Sequence, residues 1–180
     1  PMVERIRTRV LVIGSGVAGL QTAWRAAAGG DVLVLTKRSL FDSATAYAQG
    51  GIAAALGAGD SPQLHRIDTL AAGGALCDAA AVQVLVAEGP DRVRDLATAG
   101  ARFDLDASGR LALGREAAHS RHRIVHAQGD QTGAEVARTL IARVAETPNI
   151  TVLESARVLD LIVESGRVCG ARASVEGKPV

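Results

Sequence analysis

The segment that most constrains this chain is Gly14-Ser15-Gly16-Val17-Ala18-Gly19. It follows a four-residue apolar run, Val10-Leu11-Val12-Ile13, and precedes an alanine-rich stretch, Leu20 to Ala28, that ends at Gly29-Gly30. The apolar run reads as a strand buried on both faces, as in a parallel sheet. The alanine-rich stretch reads as a helix closed by glycine. Asp31 then opens a second apolar strand, Val32 to Leu35. Together these make a βαβ unit with a Gly-x-Gly-x-x-Gly turn. Its glycines allow the tight turn, the close approach of a pyrophosphate and tight helix–sheet packing. The helix N-terminus adds free N–H groups and a positive dipole end. A glycine-rich turn with no ligand is the competing reading, and the strand before and the helix after weigh against it.

One part of the dinucleotide fingerprint is missing. An acidic residue about twenty positions on normally binds the ribose. Here the second strand ends Leu35-Thr36-Lys37. Thr36 can hydrogen-bond a ribose without charge, and Lys37 can help neutralise phosphate, so an ordinary NAD dehydrogenase is disfavoured.

Composition narrows the remaining classes. The 180 residues include 34 alanines and 20 glycines but only four aromatics, Trp24, Phe41, Tyr47 and Phe103, so the core is built of small side chains. The length predicts one domain. The formal net charge of +1 gives no excess of cations for non-specific nucleic-acid binding. No apolar run is long enough to span a membrane. The apolar stretch after Arg5, Arg7 and Arg9 stops at Gly14, which does not fit a secretory signal. A cytoplasmic location with reduced thiols is expected. Cys77 and Cys169 form no CxxC and read as small core residues.

Further along, Ser61-Pro62 starts a helix towards Ala72, and Asp78 caps a second from Ala79 to Glu88. Pro90 suits the first turn of a third, ending near Gly100. Phe103 to Gly114 is a loop or hairpin with a Ser108-Gly109 turn, and a helix follows from about Gly133 to Glu146. Ile150 to Glu154, Arg157 to Glu164 and Arg167 to Ala173 are strands, with Ser165-Gly166 as a hairpin turn. The chain ends inside a further hairpin at Gly177-Lys178-Pro179-Val180.

Two other segments carry chemistry. In Ala44-Thr45-Ala46-Tyr47-Ala48-Gln49-Gly50-Gly51, the glycines bare backbone N–H groups and Gln49 offers donor and acceptor. That suits a flat polar heterocycle, although a close-packed Gly/Ala loop would look the same. The second segment runs from Arg115 to Ala127. On a helix, His119, His122 and His126 would share one face, with Glu116 extending the stripe. A metal site, a solvated basic loop and an anion-handling site are the three readings. Arg115, Arg121 and Arg123 repel a divalent metal and favour an anion such as a carboxylate or phosphate. No metal is therefore expected. His65 reads as a surface helix residue. Asp104 and Asp106 are too close together in a loop to act as paired catalytic carboxylates.

In order along the chain, Val12 to Leu20, Thr45 to Ala54, Arg115-Glu116-x-x-His119-Ser120-x-x-Arg123-Ile124-Val125-His126-Ala127 and Asp130-x-Thr132-Gly133 resemble the L-aspartate oxidase family. That family shares a flavoprotein group with the fumarate reductase and succinate dehydrogenase flavoprotein subunits. The resemblance implies an α/β, Rossmann-like FAD-binding domain with a parallel sheet, helices and a C-terminal β-meander. It also implies oxidation of L-aspartate to iminoaspartate with oxygen or fumarate as acceptor. The product feeds quinolinate and NAD synthesis, and the resemblance implies quinolinate synthase as a partner in the pathway. Family members continue into a capping domain and a C-terminal helical domain. Residues 1–180 therefore read as a truncated N-terminal portion of the FAD-binding domain, inactive alone.

The same resemblance assigns Gly14, Ser15, Gly16, Val17, Ala18 and Gly19 to the pyrophosphate, and Thr36 and Lys37 to the adenosine half. It assigns Ala44, Thr45, Ala46, Tyr47, Ala48, Gln49, Gly50 and Gly51 to the flavin half, and Val158 to adenine through its backbone. The respiratory relatives carry a flavin-bonding histidine at the position of Ala44, so FAD is expected to be non-covalent. They carry an apolar residue at the position of Glu116. A carboxylate there repels a dicarboxylate unless the substrate also has an ammonium group, as aspartate does. Glu116 is thus the expected partner of that ammonium and a candidate proton acceptor, with His119 and Ser120 beside the substrate. Ala117-Ala118 replace the family's usual Gly-Gly. The alternatives are a succinate- or fumarate-type flavoprotein and a dinucleotide-fold remnant without catalysis.

Overall fold

The structure is a computed structural model and describes residues 5–179. In chain order its elements are β1 (Val10–Ile13), α1 (Val17–Ala26), β2 (Val32–Leu35), β3 (Ile52–Ala53), α2 (Pro62–Ala72) and α3 (Ala79–Thr98). They continue with β4 (Leu113–Gly114), β5 (Ile124–Val125), α4 (Thr132–Ala145), β6 (Ile150–Leu153), β7 (Ala156–Glu164), β8 (Arg167–Val175) and β9 (Lys178–Pro179). The contacts divide the chain into two compact units. One is built from the two chain ends, up to Ala46 and from Ala137, and the other runs Tyr47–Val136.

In the first unit, β1, β2 and β6 form a parallel sheet with β2 in the middle, Val10 opposite Val32 and Val32 opposite Ile150. All four residues of β2 are buried, as a continuous apolar run requires. β1 is an edge strand of this sheet, and its Ile13 is half exposed, so the expectation of burial on both faces holds for β2 and not for β1. Gly30 leaves the helical turn after α1 with φ +137°. Asn149 Nδ2 donates to the Ala27 and Gly30 carbonyls at 2.7 and 2.8 Å, tying that end to the start of β6. β7 and β8 form a long hairpin through Ser165 (φ 50°) and Gly166 (φ 77°), two positive-φ residues as a type I′ turn needs. Leu33 and Leu35 of β2 pack with Ala156 and Ala173 of the hairpin. β9 pairs with β8, which gives the expected terminal hairpin, while Val180 lies outside the described residues.

In the second unit, β5 lies between β3 and β4, antiparallel to both. Val125, Ala127, Ala54, Val93 and Phe103 form its buried core. Ser61 caps α2 by accepting the Leu64 N–H, and Asp78 caps α3 by accepting from Ala80 and Ala81. α3 is one helix of 20 residues, not two, and Pro90 lies inside it. The physical reason is burial. Val86, Pro90 and Val93 occupy one face at i, i+4 and i+7, and all three are buried. Packing of that stripe outweighs the lost N–H and the ring clash. Two further expectations are corrected. His65 is buried rather than on the surface, and Cys169 is exposed on β8 rather than in a core. Among the described residues no helix is long and apolar enough to cross a membrane.

Candidate functional site

Each glycine of the first motif has its own reason to be glycine. Gly14 has φ +106° and donates to the Leu35 carbonyl at 2.8 Å, turning the chain off β1. A Cβ on Gly19 would stand 2.0 Å from the Gly14 carbonyl oxygen, so α1 packs on the turn only without a side chain there. Gly16 is different. Its φ of −70° suits any residue, and a Cβ would meet only Thr45 Oγ1 at 3.6 Å, an ordinary contact. Among the described residues no atom requires glycine at 16, and its bare Cα leaves space in front of the helix N-terminus. The amides of Ala18 and Gly19 precede the first intrahelical bond, from Leu20 N–H to the Gly16 carbonyl. The Val17 N–H is taken by the Thr45 hydroxyl at 2.9 Å. Space, amides and dipole suit a phosphate group at this end.

The Ser15 and Thr36 hydroxyls share a hydrogen bond of 2.9 Å, and both residues are buried. Thr36 thus ties the end of β2 to the glycine turn, and Lys37 beside it is exposed. The carboxylate found after the sheet's strands comes from Glu154, which follows β6 and accepts the Leu40 N–H. Val158 on β7 is half-buried against the hairpin core. Of the second motif, Ala44, Thr45 and Ala46 belong to the first unit and the rest to the second. Ala44, Tyr47, Ala48, Gln49 and Gly50 are exposed. Gly50 has open space around it, whereas a Cβ on Gly51 would meet Ile124 Cγ2 at 2.2 Å. One of the paired glycines bares its backbone and the other permits strand packing.

In the second unit the histidine stripe is not helical. Residues 115–123 are turns and irregular chain leading into β5, so the i, i+3, i+7 argument has no helix to act on. Among the described residues no three His, Cys, Asp or Glu side chains are grouped to hold a metal. Glu116 and His126 meet by another route, through the β4–β5 pairing, with Oε1 and Nε2 3.4 Å apart. The His126 ring fits because Gly51 and Gly114 lack side chains, since Cβ atoms there would stand 2.9 and 2.8 Å from it. The Glu116 side chain is 55 % exposed, leaving its carboxylate open to a further cation.

Arg123 corrects the anion-handling expectation. It is fully buried, with Nε and Nη2 on Asp60 at 2.9 and 2.8 Å and Nη1 on Asp68 at 2.9 Å. Two carboxylates neutralise this guanidinium, and it has no face for an outside anion. Arg115 and Arg121 are exposed. Ser120 gives both its N–H and its hydroxyl to Asp68 at 2.8 Å. These bonds, the Ser120 N–H foremost, hold the Asp68 carboxyl below its ordinary pKa. His119 Nδ1 lies 3.4 Å from Arg123 Nη1, and its ring centroid is 5.6 Å from that of His65. Burial, and then the Arg123 charge, lower the His65 pKa. Asp60, Asp68 and His65 were not singled out from the sequence as parts of this cluster, and His126 was grouped with Glu116 and His119 through a helical stripe that does not form. Only pairing across strands and between loop and α2 brings them together. Asp104 and Asp106 do serve local structure. Asp104 accepts the amides of Gln128 and Gly129, and Asp106 closes its own turn on Ser108 and Arg110, its pKa lowered to about 2 chiefly by the Ser108 hydroxyl.

Comparison with known proteins gives a consistent result. The profile of the FAD binding domain family matches residues 9–180. The L-aspartate oxidase of Streptomyces coelicolor is 50% identical over 175 residues, which are 96% of this chain and 30% of that protein. The chloroplastic L-aspartate oxidase of Arabidopsis thaliana is 48% identical over 151 residues, 84% of this chain and 23% of its own. Among solved structures, Mycobacterium smegmatis Sdh1 in complex with UQ1 superposes with a TM-score of 0.90 at 33% identity, covering 96% of this chain and 31% of that one. The E. coli quinol fumarate reductase FrdA gives 0.89 at 28% identity, covering 94% and 29%. The chain spans less than a third of the length of each of these proteins.

Proposed function

Because this chain belongs to the FAD binding domain family, we propose that it works in a cytoplasmic flavoprotein that oxidises L-aspartate to iminoaspartate, a product that would pass to quinolinate synthase. When bound, FAD would supply the two-electron acceptor for oxidation at the Cα–H bond of the amino acid, with oxygen or fumarate as the final acceptor. The α1 N-terminus, with the open Cα of Gly16 and the amides of Ala18 and Gly19, holds the pyrophosphate. Thr36 and Lys37 serve the adenosine half, and Thr45, Gln49 and Gly50 the flavin half. Ala44 has no nucleophile, so the cofactor stays non-covalent and acid precipitation releases it. Glu116 receives the substrate ammonium, and His119 and Ser120 stand beside the substrate.

The observation that carries this reading is the carboxylate of Glu116, open to a further cation, in a chain half identical to an L-aspartate oxidase. A second reading, a succinate- or fumarate-type flavoprotein, is favoured by the TM-scores of 0.90 and 0.89. Glu116→Gln separates the two. A charge-assisted hydrogen bond contributes about 1.5–3 kcal/mol, and 1.36 kcal/mol is about tenfold. In the complete enzyme kcat/KM for L-aspartate is expected to fall about 10- to 100-fold. Succinate, which has no ammonium, is expected to bind as well or better. Equal losses for both ligands would leave Glu116 a support for its loop and favour the second reading.

A further inference from the structure

Arg123 reaches its surroundings in a way its charge alone does not explain. It precedes β5 and is pinned by its backbone, donating to the Gly114 carbonyl and accepting from Ala54 N–H, both at 2.9 Å. Its guanidinium has five N–H groups and no acceptor. Asp60 and Asp68 take three of these contacts, and the fourth is His119 Nδ1 at 3.4 Å. Arginine cannot accept a hydrogen bond, so Nδ1 does. The neutral imidazole must then carry its proton on Nε2. The backbone of this ring is held by the same network. Ser120, the next residue, gives two hydrogen bonds to the Asp68 oxygen that also binds Arg123. The His119 N–H closes its own turn on the Glu116 carbonyl at 3.2 Å. The His65 ring, from α2, is tilted at 57° to it with the centroids 5.6 Å apart. Among the described residues Arg123 and His65 face His119, and Asp60 and Asp68 stand behind Arg123.

Resting on the substrate reading above, we propose that Arg123 is a positioning residue that fixes His119 as an Nε2–H donor to a carboxylate oxygen of a dicarboxylate substrate. The buried guanidinium cannot meet the substrate itself. Its effect arrives through the tautomer and orientation of one imidazole, a neutral donor that suits a carboxylate without adding charge.

The test is long-range proton–nitrogen NMR of the FAD-loaded protein labelled with nitrogen-15 histidine, at about pH 8, above the ordinary histidine range near 6.5. The His119 signals are identified by their loss in His119→Gln. Expected are an acceptor-type shift at Nδ1 and an N–H-type shift at Nε2 in the wild type. A proton on Nδ1 overturns the proposal, and this reading needs no variant. Arg123→Lys cannot fork onto Asp60 while reaching His119. In a folded Arg123→Lys protein, Nδ1 is expected to move towards the tautomer average of a free histidine, and an unmoved signal overturns the role of Arg123. Succinate, added last, is expected to shift the Nε2 proton. If neither succinate nor L-aspartate shifts it, the donor role falls. If succinate shifts it and the complete enzyme never oxidises L-aspartate, the L-aspartate reading fails and this one stands.

Discussion

Gly16 and Gly19 lie one helical turn apart and are glycine for opposite reasons, so substitution should separate folding from binding. Gly19→Ala drives a methyl into the Gly14 carbonyl oxygen, 2.0 Å from the ideal Cβ. It is expected to cost about 1–3 kcal/mol of stability, the usual range for overpacking. Gly16→Ala meets only an ordinary contact. It should cost no more than about 1 kcal/mol, the loss of a tolerable N-cap residue, yet weaken FAD binding because its methyl fills the open space. Urea midpoints and flavin fluorescence titrations read the two effects independently. The structure places the tight turn at Gly14 and the close packing at Gly19, and it leaves open space at Gly16. Ala118 is legible in the same way. An alanine stands there with φ 70°, a left-handed conformation that costs an L-residue about 1–2 kcal/mol. Ala118→Gly is therefore expected to raise stability by about 1 kcal/mol, seen as a higher urea midpoint at unchanged slope.

Elements of period 2 and the βαβ unit were readable because their pattern is local. β2, β6 and the β7–β8 hairpin fall where alternation and turn residues put them. α3 was misread because a proline is a local signal and the buried stripe of Val86, Pro90 and Val93 is not. The histidine stripe failed for a related reason: it presupposed a helix, and the segment instead feeds β5. β5 is only two residues long, and its ladder alone is a weak anchor. Arg123, next to it, holds the strand to the Asp60 side chain, which is 1% exposed, and to Asp68. Removing one partner of a buried ion pair costs about 3–5 kcal/mol, because the other charge stays buried. Arg123→Met is expected to lose about that much from the second unit, whereas replacing Arg123, Asp60 and Asp68 together with apolar residues of similar size should lose less. A proteolysis or hydrogen-exchange comparison of the two variants would decide it. A single arginine replacement as mild as the triple one would show that β5 is held by its core contacts instead.

At the scale of the whole molecule, the division into one unit of chain ends and one of residues 47–136 was beyond the sequence, because it depends on which distant segments meet. The burial of His65 has the same origin. It was read as a surface residue of a helix, and the loop carrying His119 and Ser120 covers it. Its Nδ1 has no hydrogen-bond partner among the described residues, and burial, the Arg123 charge and His119 lower its pKa against the opposing pull of Asp60 and Asp68. The folded protein thus takes up this proton less readily than the unfolded chain, whose histidine titrates near 6.5. Where the unfolded state binds more protons, stability rises with pH. The His65 contribution is therefore intact above about pH 6.5 and is lost as pH falls below it, at up to about 1.36 kcal/mol per pH unit for one proton. Asp68 acts in a lower window. Its carboxyl pKa is depressed chiefly by the Ser120 N–H, so its stabilisation is present above the ordinary 3.8 and lost as pH falls below that value. Urea unfolding of the wild type is expected to weaken in two steps, one beginning near pH 6.5 and one near pH 3.8. His65→Gln should remove the first step and keep the second. A wild type equally stable at about pH 7.5 and pH 5 would mean that no proton is taken up on unfolding in that window, and a His65→Gln variant with an unchanged first step would mean that the proton belongs to another group.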